Sequence, residues 1–277
     1  YGPLLALHAF WGVVSILTFW AALIKATRDW GGEHQQGLAF GVLDGGRGLV
    51  GALLASGATW LYSRFDSVAA GLRAAIALYA AAPLAAGAAV WLLLPRRPEH
   101  LPAAAERDRV HASLLGTVVR MPVVWLTAVV ILAAYTAYIG IYDFAAYAEI
   151  GFGQSSLFGA QMGTFRDWLR PLACVGAGLL ADRLSPSAAV SGCFAWLAAG
   201  CALTALGPAG PDHVWLLWLQ IVVVSVPTFA LRGIYYALLQ EGRVPDWLTG
   251  TAVGVISVLG YTPDVFAHPL SGWLIDS

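Results

Sequence analysis

The chain has 277 residues and a net charge of −1, and 59% of its residues are hydrophobic while only 11% are charged. A soluble domain has about 25% charged residues, so this chain has too few polar side chains to cover a globule of its size. The same composition excludes disorder, and the charge balance excludes a basic surface for nucleic acid. We therefore expect a polytopic protein embedded in a lipid bilayer.

Eight apolar segments are long enough to span a bilayer, which takes about 20 residues each. None alternates apolar and polar residues as a barrel strand does, so the sequence predicts an all-α fold. In chain order the segments cover 4–26, 38–62, 69–94, 123–146, 156–181, 188–206, 214–239 and 248–275. Because Tyr1 leads almost directly into the first segment without a charged n-region, we expect a span rather than a signal peptide, in a fragment of a longer protein.

A polar stretch over 95–121 divides the chain into three spans and five spans. It is either an ordinary loop or a linker between two helical bundles, and its length and charge favour the linker. We therefore expect one bundle over 1–94 and another over 122–277. Gaps after even-numbered spans contain only Arg64 and Arg73. Gaps after odd-numbered spans contain Lys25, Arg28, Arg96, Arg97, Arg107, Arg109, Arg120, Arg183 and Arg243. The positive-inside rule predicts that these odd-numbered gaps, and the linker, are cytoplasmic.

Charged residues inside the predicted spans are the candidate functional residues, because such groups usually face a bundle interior or a water-filled cavity. Asp44 and Arg47 in the second span are three residues apart and share a helix face. They form either a mutual structural pair or part of a cytoplasmic gate.

The fifth span contains Arg166, Asp167 and Arg170, and the seventh contains Arg232. Arg166 and Arg170 share a face, and Asp167 cannot neutralise both from its position. Their anionic partner is either an acidic side chain on another helix or an anionic substrate. Because the guanidinium donors form a rigid fork, a carboxylate, phosphate or sulfonate would suit them. We predict that these three arginines contact substrate.

Two further acids, Asp143 and Asp264, lie nearer the predicted outer side. A carboxyl group in apolar surroundings can carry a proton near neutral pH, so either could be a proton-carrying group, although a structural pair with an arginine is the alternative. Tyr135, Tyr138 and Tyr142 form a stripe on one helix face, which is either core packing or a cavity wall. We expect them to line the substrate site.

The fifth span ends in Gly178-Leu179-Leu180-Ala181-Asp182-Arg183. This G-x-x-x-D-R pattern resembles the loop signature of the major facilitator superfamily, although Leu184-Ser185-Pro186 replaces its further basic residues. Gln36-Gly37-x-Ala39-x-Gly41 is similar to the start of helix five in bacterial members, and Gly260-Tyr261-x-Pro263-Asp264 resembles their helix eleven.

The resemblance implies a fold with about eight of twelve transmembrane helices, numbered four to eleven, and a central cavity between two bundles. It places Asp182 and Arg183 at the cytoplasmic rim, in a gating role. The implied function is secondary active transport by alternating access in a bacterial inner membrane. Our first expectation for the solute is an organic anion or sugar acid, with proton symport as the coupling.

Several other classes are disfavoured by what the sequence contains. Cys174, Cys193 and Cys201 lie in apolar stretches without CxxC spacing, which predicts small packed side chains rather than a metal site. The chain has neither HExxH nor GxSxG, so we expect no enzyme activity and no cofactor. We expect a monomer. A membrane receptor or sensor that kept the transporter shape without transport is the alternative function.

Overall fold

The computed structural model describes residues 6, 7, 10, 12, 19–62, 64, 65, 67–93 and 112–276. Within these residues the regular structure is helical and contains no strand, which confirms the predicted all-α fold. The α-helices are α1 (Ala21–Gly31), α2 (Gln36–Tyr62), α3 (Val68–Leu93), α4 (Ala112–Val119), α5 (Pro122–Gly140), α6 (Phe144–Phe152), α7 (Ser156–Arg183), α8 (Pro186–Leu206), α9 (Val214–Ile234), α10 (Leu238–Glu241), α11 (Thr249–Gly260) and α12 (Pro263–Asp276).

Six helical segments of the described residues are long and apolar enough to cross a membrane. They are Gln36–Ala58, Ala69–Leu92, Pro122–Gly140, Pro186–Leu206, Pro211–Glu241 and Asp246–Leu274. Each overlaps one of the eight predicted spans. Helix α7 has 28 residues, enough to cross, but its central charges make it less apolar than these six. Of the predicted span 4–26, residues 4, 5, 8, 9, 11 and 13–18 lie outside the described residues.

Two of the predicted spans contain a break in the helix. The span over 123–146 breaks at residues 141–143, between α5 and α6. The break leaves the carbonyl of Ile141 available, and the Arg166 guanidinium donates to it at 3.0 Å. The span over 248–275 breaks between α11 and α12, where Pro263, which has no backbone N–H, begins the second helix.

The predicted linker over 95–121 is not wholly irregular, because α4 occupies Ala112–Val119. This short apolar helix is anchored by Val118, which is fully buried. The predicted linker therefore contains a short helix in its last part. Residues 95–111 lie outside the described residues, and the division into two bundles stays a prediction.

The chain divides into two compact units, one over residues 1–48 and 112–277 and the other over 49–111. The second unit contains the rest of α2 and helix α3, whose apolar side chains are largely exposed. Inside it the Arg64 guanidinium lies 4.7 Å from the centre of the Trp60 ring.

The first unit is built around α9, which is buried along most of its length and packs against α7 and α8. Two glycines allow this close packing. A Cβ added at Gly200 would lie 3.1 Å from a side-chain carbon of Val223, and one at Gly233 would lie 3.0 Å from the Cα of Cys174. Such small residues allow neighbouring helix backbones to approach in membranes.

Helices α2 and α7 cross closely in the same unit because α2 presents a row of glycines. Gly37, Gly41 and Gly45 follow one another at intervals of four residues on one helix face. A Cβ at Gly41 would lie 2.5 Å from the Cys174 carbonyl oxygen, and one at Gly37 would lie 2.5 Å from the Gly178 carbonyl oxygen. The glycine row therefore sets the distance at which the charged residues of α2 and α7 meet.

Candidate functional site

The Asp44 carboxylate is the centre of a buried charge cluster where α2 and α7 cross. Asp44 is only 5% exposed. Arg170 of α7 donates to it through two nitrogens, with Nε 3.1 Å from Oδ2 and Nη2 2.8 Å from Oδ1. Arg47, one turn along α2, places its Nη1 3.2 Å from Oδ1. The predicted Asp44–Arg47 pair is present, and Arg170 finds its anionic partner in the protein.

Cys174 also contacts this cluster. Its sulfur lies 3.5 Å from Oδ2 of Asp44 and 3.2 Å from the Phe229 carbonyl oxygen, which is the nearer acceptor for its single S–H proton. Cys174 is buried, whereas Cys193 is half-buried and Cys201 is exposed, and all three are free thiols. The prediction of packed cysteines therefore holds for Cys174 and was wrong for Cys201.

Arg232 of α9 is the third cation beside Asp44, but it makes a much weaker contact. Its Nε lies 3.8 Å from Oδ2 of Asp44, too far for a hydrogen bond. Nε and Nη1 are buried and have no hydrogen-bond partner among the described residues, and Arg232 is 7% exposed. The guanidinium carbon lies 3.9 Å from the ring centre of Tyr138 and 5.5 Å from that of Tyr135. Aromatic faces attract a cation but supply no acceptor for its donors.

A cavity of about 350 Å³ adjoins this cluster. Its lining combines aromatic side chains, two arginines and one acid: Phe19, Trp20, Arg47, Tyr135, Arg232, Tyr261 and Asp264. The Asp264 carboxylate accepts the Tyr135 hydroxyl at 2.9 Å and 3.1 Å. Arg47 stacks over the Trp20 ring at 4.7 Å. Binding pockets commonly have such largely apolar walls with a few placed polar groups.

The remaining predicted binding residues lie beside the break between α5 and α6 and are not part of the cavity lining. Arg166 pairs with Asp167 at 2.8 Å and stacks over the Tyr142 ring at 4.2 Å. The hydroxyls of Tyr138 and Tyr142 lie 2.8 Å apart. Asp143 accepts the Ser271 hydroxyl at 2.9 Å. The structure thus brings together Arg232, Tyr135 and Asp264 at the cavity, and places Arg166, Tyr142 and Asp143 at the helix break.

Asp182 lies at the end of α7 that is predicted to be cytoplasmic. Its carboxylate accepts the backbone N–H groups of Gly37 at 2.7 Å and of Leu38 at 2.8 Å. These are first-turn N–H groups of α2, which have no partner within their own helix and which favour a negative charge. Arg183, the next residue, is exposed. Asp182 therefore joins the end of α7 to the start of α2.

A buried cation near this end, Arg28 of α1, was not predicted as a site residue from the sequence. Its nitrogens donate to Thr249 Oγ1 at 2.6 Å, Gln240 Oε1 at 2.7 Å and the Val244 carbonyl, and it pairs with Asp246 at 3.1 Å. Burial lowers the pKa of the Arg28 guanidinium, while Asp246 and Asp29 oppose that shift. Its acceptors come more than 200 residues later, so no local pattern distinguishes Arg28 from an ordinary loop cation.

The geometry defines a polytopic helical membrane protein with a charged, aromatic-lined cavity. Comparison with known sequences then gives its family. The family model described as Major Facilitator Superfamily matches residues 1–268, so the chain belongs to this superfamily of membrane transporters. No solved structure gives a significant match.

Two curated relatives come from Escherichia coli K12. Inner membrane protein YqcE is 27% identical over 284 residues, which cover 98% of this chain and 66% of that protein. Inner membrane protein YihN is 25% identical over 282 residues, which cover 100% of this chain and 67% of that protein. An uncharacterized protein of Mycoplasma pneumoniae is 30% identical over 112 residues, 36% of this chain and 50% of that protein.

The chain spans about two thirds of the length of the two E. coli relatives. Together with the six helical segments that can cross a membrane, this similarity identifies a multi-pass inner-membrane protein. The predicted family and location are confirmed.

Proposed function

We propose that the full-length protein moves a small organic anion across the membrane by alternating access. The observation that carries this proposal is Arg232, a buried guanidinium at the cavity with two nitrogens that have no acceptor among the described residues. Leaving buried donors unsatisfied is costly, so the site favours a ligand that supplies acceptor atoms and negative charge.

The charges around the cavity favour an anion over a neutral solute. Three guanidinium groups, those of Arg47, Arg170 and Arg232, face the single carboxylate of Asp44. Asp264 contributes one more negative charge to the same cavity. One further negative charge would balance the group, so we propose a monoanion. The Trp20 and Tyr261 rings would pack on its carbon frame, and hydroxyl groups of a sugar acid could donate to Asp264.

We propose Asp264 rather than Asp143 as the residue that carries a coupling proton. Asp264 lines the cavity and accepts the Tyr135 hydroxyl, so protonation there would alter a wall of the binding site directly. Asp143 is held by Ser271 beside the helix break and does not line the cavity. A proton carrier in the wall of the cavity can change solute binding directly, and Asp264 has this position.

The cytoplasmic gate would consist of the contacts made by Asp182 and Arg28, with Asp44 and Arg47 as its inner layer. The Asp182 bonds attach α7 to the start of α2, and the Arg28 bonds attach α1 to the segment around α10 and α11. Opening toward the cytoplasm would require these bonds to break together. Arg183 is exposed beside Asp182 and would act at the rim.

Uptake by the full-length protein in proteoliposomes tests this proposal. Labelled lactate, gluconate and glucuronate would be offered with and without an inward proton gradient. We expect concentrative uptake of at least one anion, and its loss in Arg232→Gln. Arg73→Gln, at an exposed position of α3, is the matched control and should retain uptake. Full uptake by Arg232→Gln would refute the binding assignment.

A non-transporting sensor is the second candidate, because the same cavity would bind an anion without moving it. A comparison of probe binding with probe flux distinguishes the sensor from the transporter. Arg232-dependent binding of a probe by the purified protein, with no flux of that probe in proteoliposomes, would favour the sensor.

A further inference from the structure

Asp44 is already bonded to two arginines other than Arg232. Its Oδ1 accepts from Arg47 Nη1 and Arg170 Nη2, and its Oδ2 accepts from Arg170 Nε. An ionised carboxylate has about four lone-pair sites, two on each oxygen. Three are used and the Cys174 sulfur lies 3.5 Å from Oδ2, while Arg232 stays 3.8 Å away without a hydrogen bond.

Arg232 is nevertheless held in place by charge and by aromatic faces. Asp44 is the nearest carboxylate paired with it, and the Tyr138 ring lies 3.9 Å from its guanidinium carbon. The cluster therefore attracts Arg232 electrostatically but leaves its Nε and Nη1 without an acceptor among the described residues. Among the pairs around Asp44, this contact is the longest and the one without a hydrogen bond.

We infer that Asp44 is an internal competitor of the transported anion: it balances the charge of Arg232 between transport cycles, and the anionic group of the solute takes Arg232 over from it. The inference rests on the proposed function and adds a specificity-determining residue to it. The solute supplies the hydrogen bonds that Asp44 does not, while Asp44 keeps its bonds to Arg170 and Arg47.

This competition limits the affinity for the solute and also helps its release. The negative charge of Asp44 repels an anion bound at Arg232, and it attracts Arg232 back when the anion leaves. Without Asp44 the same anion would face three uncompensated guanidinium groups. Loss of this carboxylate should therefore tighten binding, which damage to the fold would not do.

The test measures binding of gluconate, glucuronate and lactate to purified full-length Asp44→Asn by calorimetry, followed by uptake in proteoliposomes. We expect a dissociation constant at least about tenfold lower than in the wild type for the anion that binds best. Uptake should show a lower KM and a lower kcat, because the anion dissociates slowly. Asp212→Asn, which changes an exposed acid in the turn before α9, is the matched control and should leave both constants unchanged.

The double variant Asp44→Asn/Arg170→Gln keeps the net charge of the wild type and removes both partners of the buried pair. Because Arg232 has no competing carboxylate beside it in this variant either, it should still bind more tightly than the wild type, but by a smaller factor than Asp44→Asn since the attraction of Arg170 is also lost. It replaces the single variant if that one does not fold. Unchanged or weaker binding in the variant that folds overturns the role of Asp44. If the wild type binds none of the three anions in an Arg232-dependent way, the proposed function itself fails, and this inference fails with it.

Discussion

The Asp182 carboxylate accepts the backbone N–H of Gly37 at 2.7 Å, so a side chain at the end of α7 closes the first turn of α2. A second bond, from the N–H of Leu38, makes the contact bidentate. Both bonds are made to an ionised acceptor, which makes them stronger than neutral hydrogen bonds.

Asp182→Ala should weaken this contact by about 1 kcal/mol, the usual cost of losing a helix cap, and should favour cytoplasmic opening. The measurement is maleimide labelling of a cysteine introduced by Ala237→Cys. Ala237 is buried and lines a second cavity beside Asp182. The background contains Cys193→Ser and Cys201→Ser. We expect faster labelling in inside-out vesicles. Glu149→Gln, an exposed substitution on α6, should not change the rate, and equal rates for all variants would contradict a gating role of Asp182.

Arg28→Gln should lower the thermal stability of the detergent-solubilised protein markedly. It leaves Gln240 and the buried Thr249 without their common donor, and leaving such acceptors unsatisfied costs roughly 1–3 kcal/mol. Asp246 is 73% exposed, so water replaces its partner. Lys25→Gln is the matched control on the same helix. Lys25 pairs with Asp29 on the surface at 2.8 Å, and such pairs contribute about 0.3–0.5 kcal/mol. Similar melting temperatures for the two variants would contradict the buried network.

Gly41→Ala should destabilise the crossing of α2 and α7, whereas Gly46→Ala should not. A Cβ at Gly41 would lie 2.5 Å from the Cys174 carbonyl oxygen, and the backbone must shift to admit it. Overpacking of this kind costs about 1–3 kcal/mol. At Gly46 nothing lies within 4 Å of the added Cβ, and alanine is the better helix former. The measurement is the melting temperature of each variant, and an equal decrease in the two would contradict the close crossing of α2 and α7.

Asp264→Asn should remove the dependence of uptake on the proton gradient while exchange of internal for external solute continues. A side chain that cannot bind or release a proton cannot couple, but the amide still accepts the Tyr135 hydroxyl. Asp143→Asn should keep the gradient dependence, because that carboxylate contacts Ser271 away from the cavity. Gradient-driven accumulation by Asp264→Asn would assign coupling to another residue.

The sequence was sufficient for features that depend on composition or on neighbouring positions. The apolar segments predicted the helices, the i, i+3 spacing predicted the contact of Asp44 with Arg47, and the G-x-x-x-D-R pattern marked Asp182 as a residue of the helix end. The signal lies within one apolar segment in the first case and within two helical turns in the other two.

Partners distant in the sequence could not be predicted in this way. Arg166 and Arg170 lie one turn apart in the same helix and have similar sequence neighbours. Arg170 nevertheless pairs with Asp44 of another helix. Arg166 pairs with its neighbour Asp167 and donates to a carbonyl at a helix break. The choice depends on which helices pack together. The burial of Arg28 has the same origin, because its acceptors belong to the segment around α10 and α11.

The contact between Gly37 and Gly178 joins two backbones with no side chain between them. No side chain there can yield, and the same holds one turn further on, where Gly41 meets the Cys174 carbonyl. Asp44 lies three residues, roughly 5 Å, along α2 from Gly41. The separation of Asp44 from α7 is therefore determined by rigid backbone contact and not by adjustable side chains.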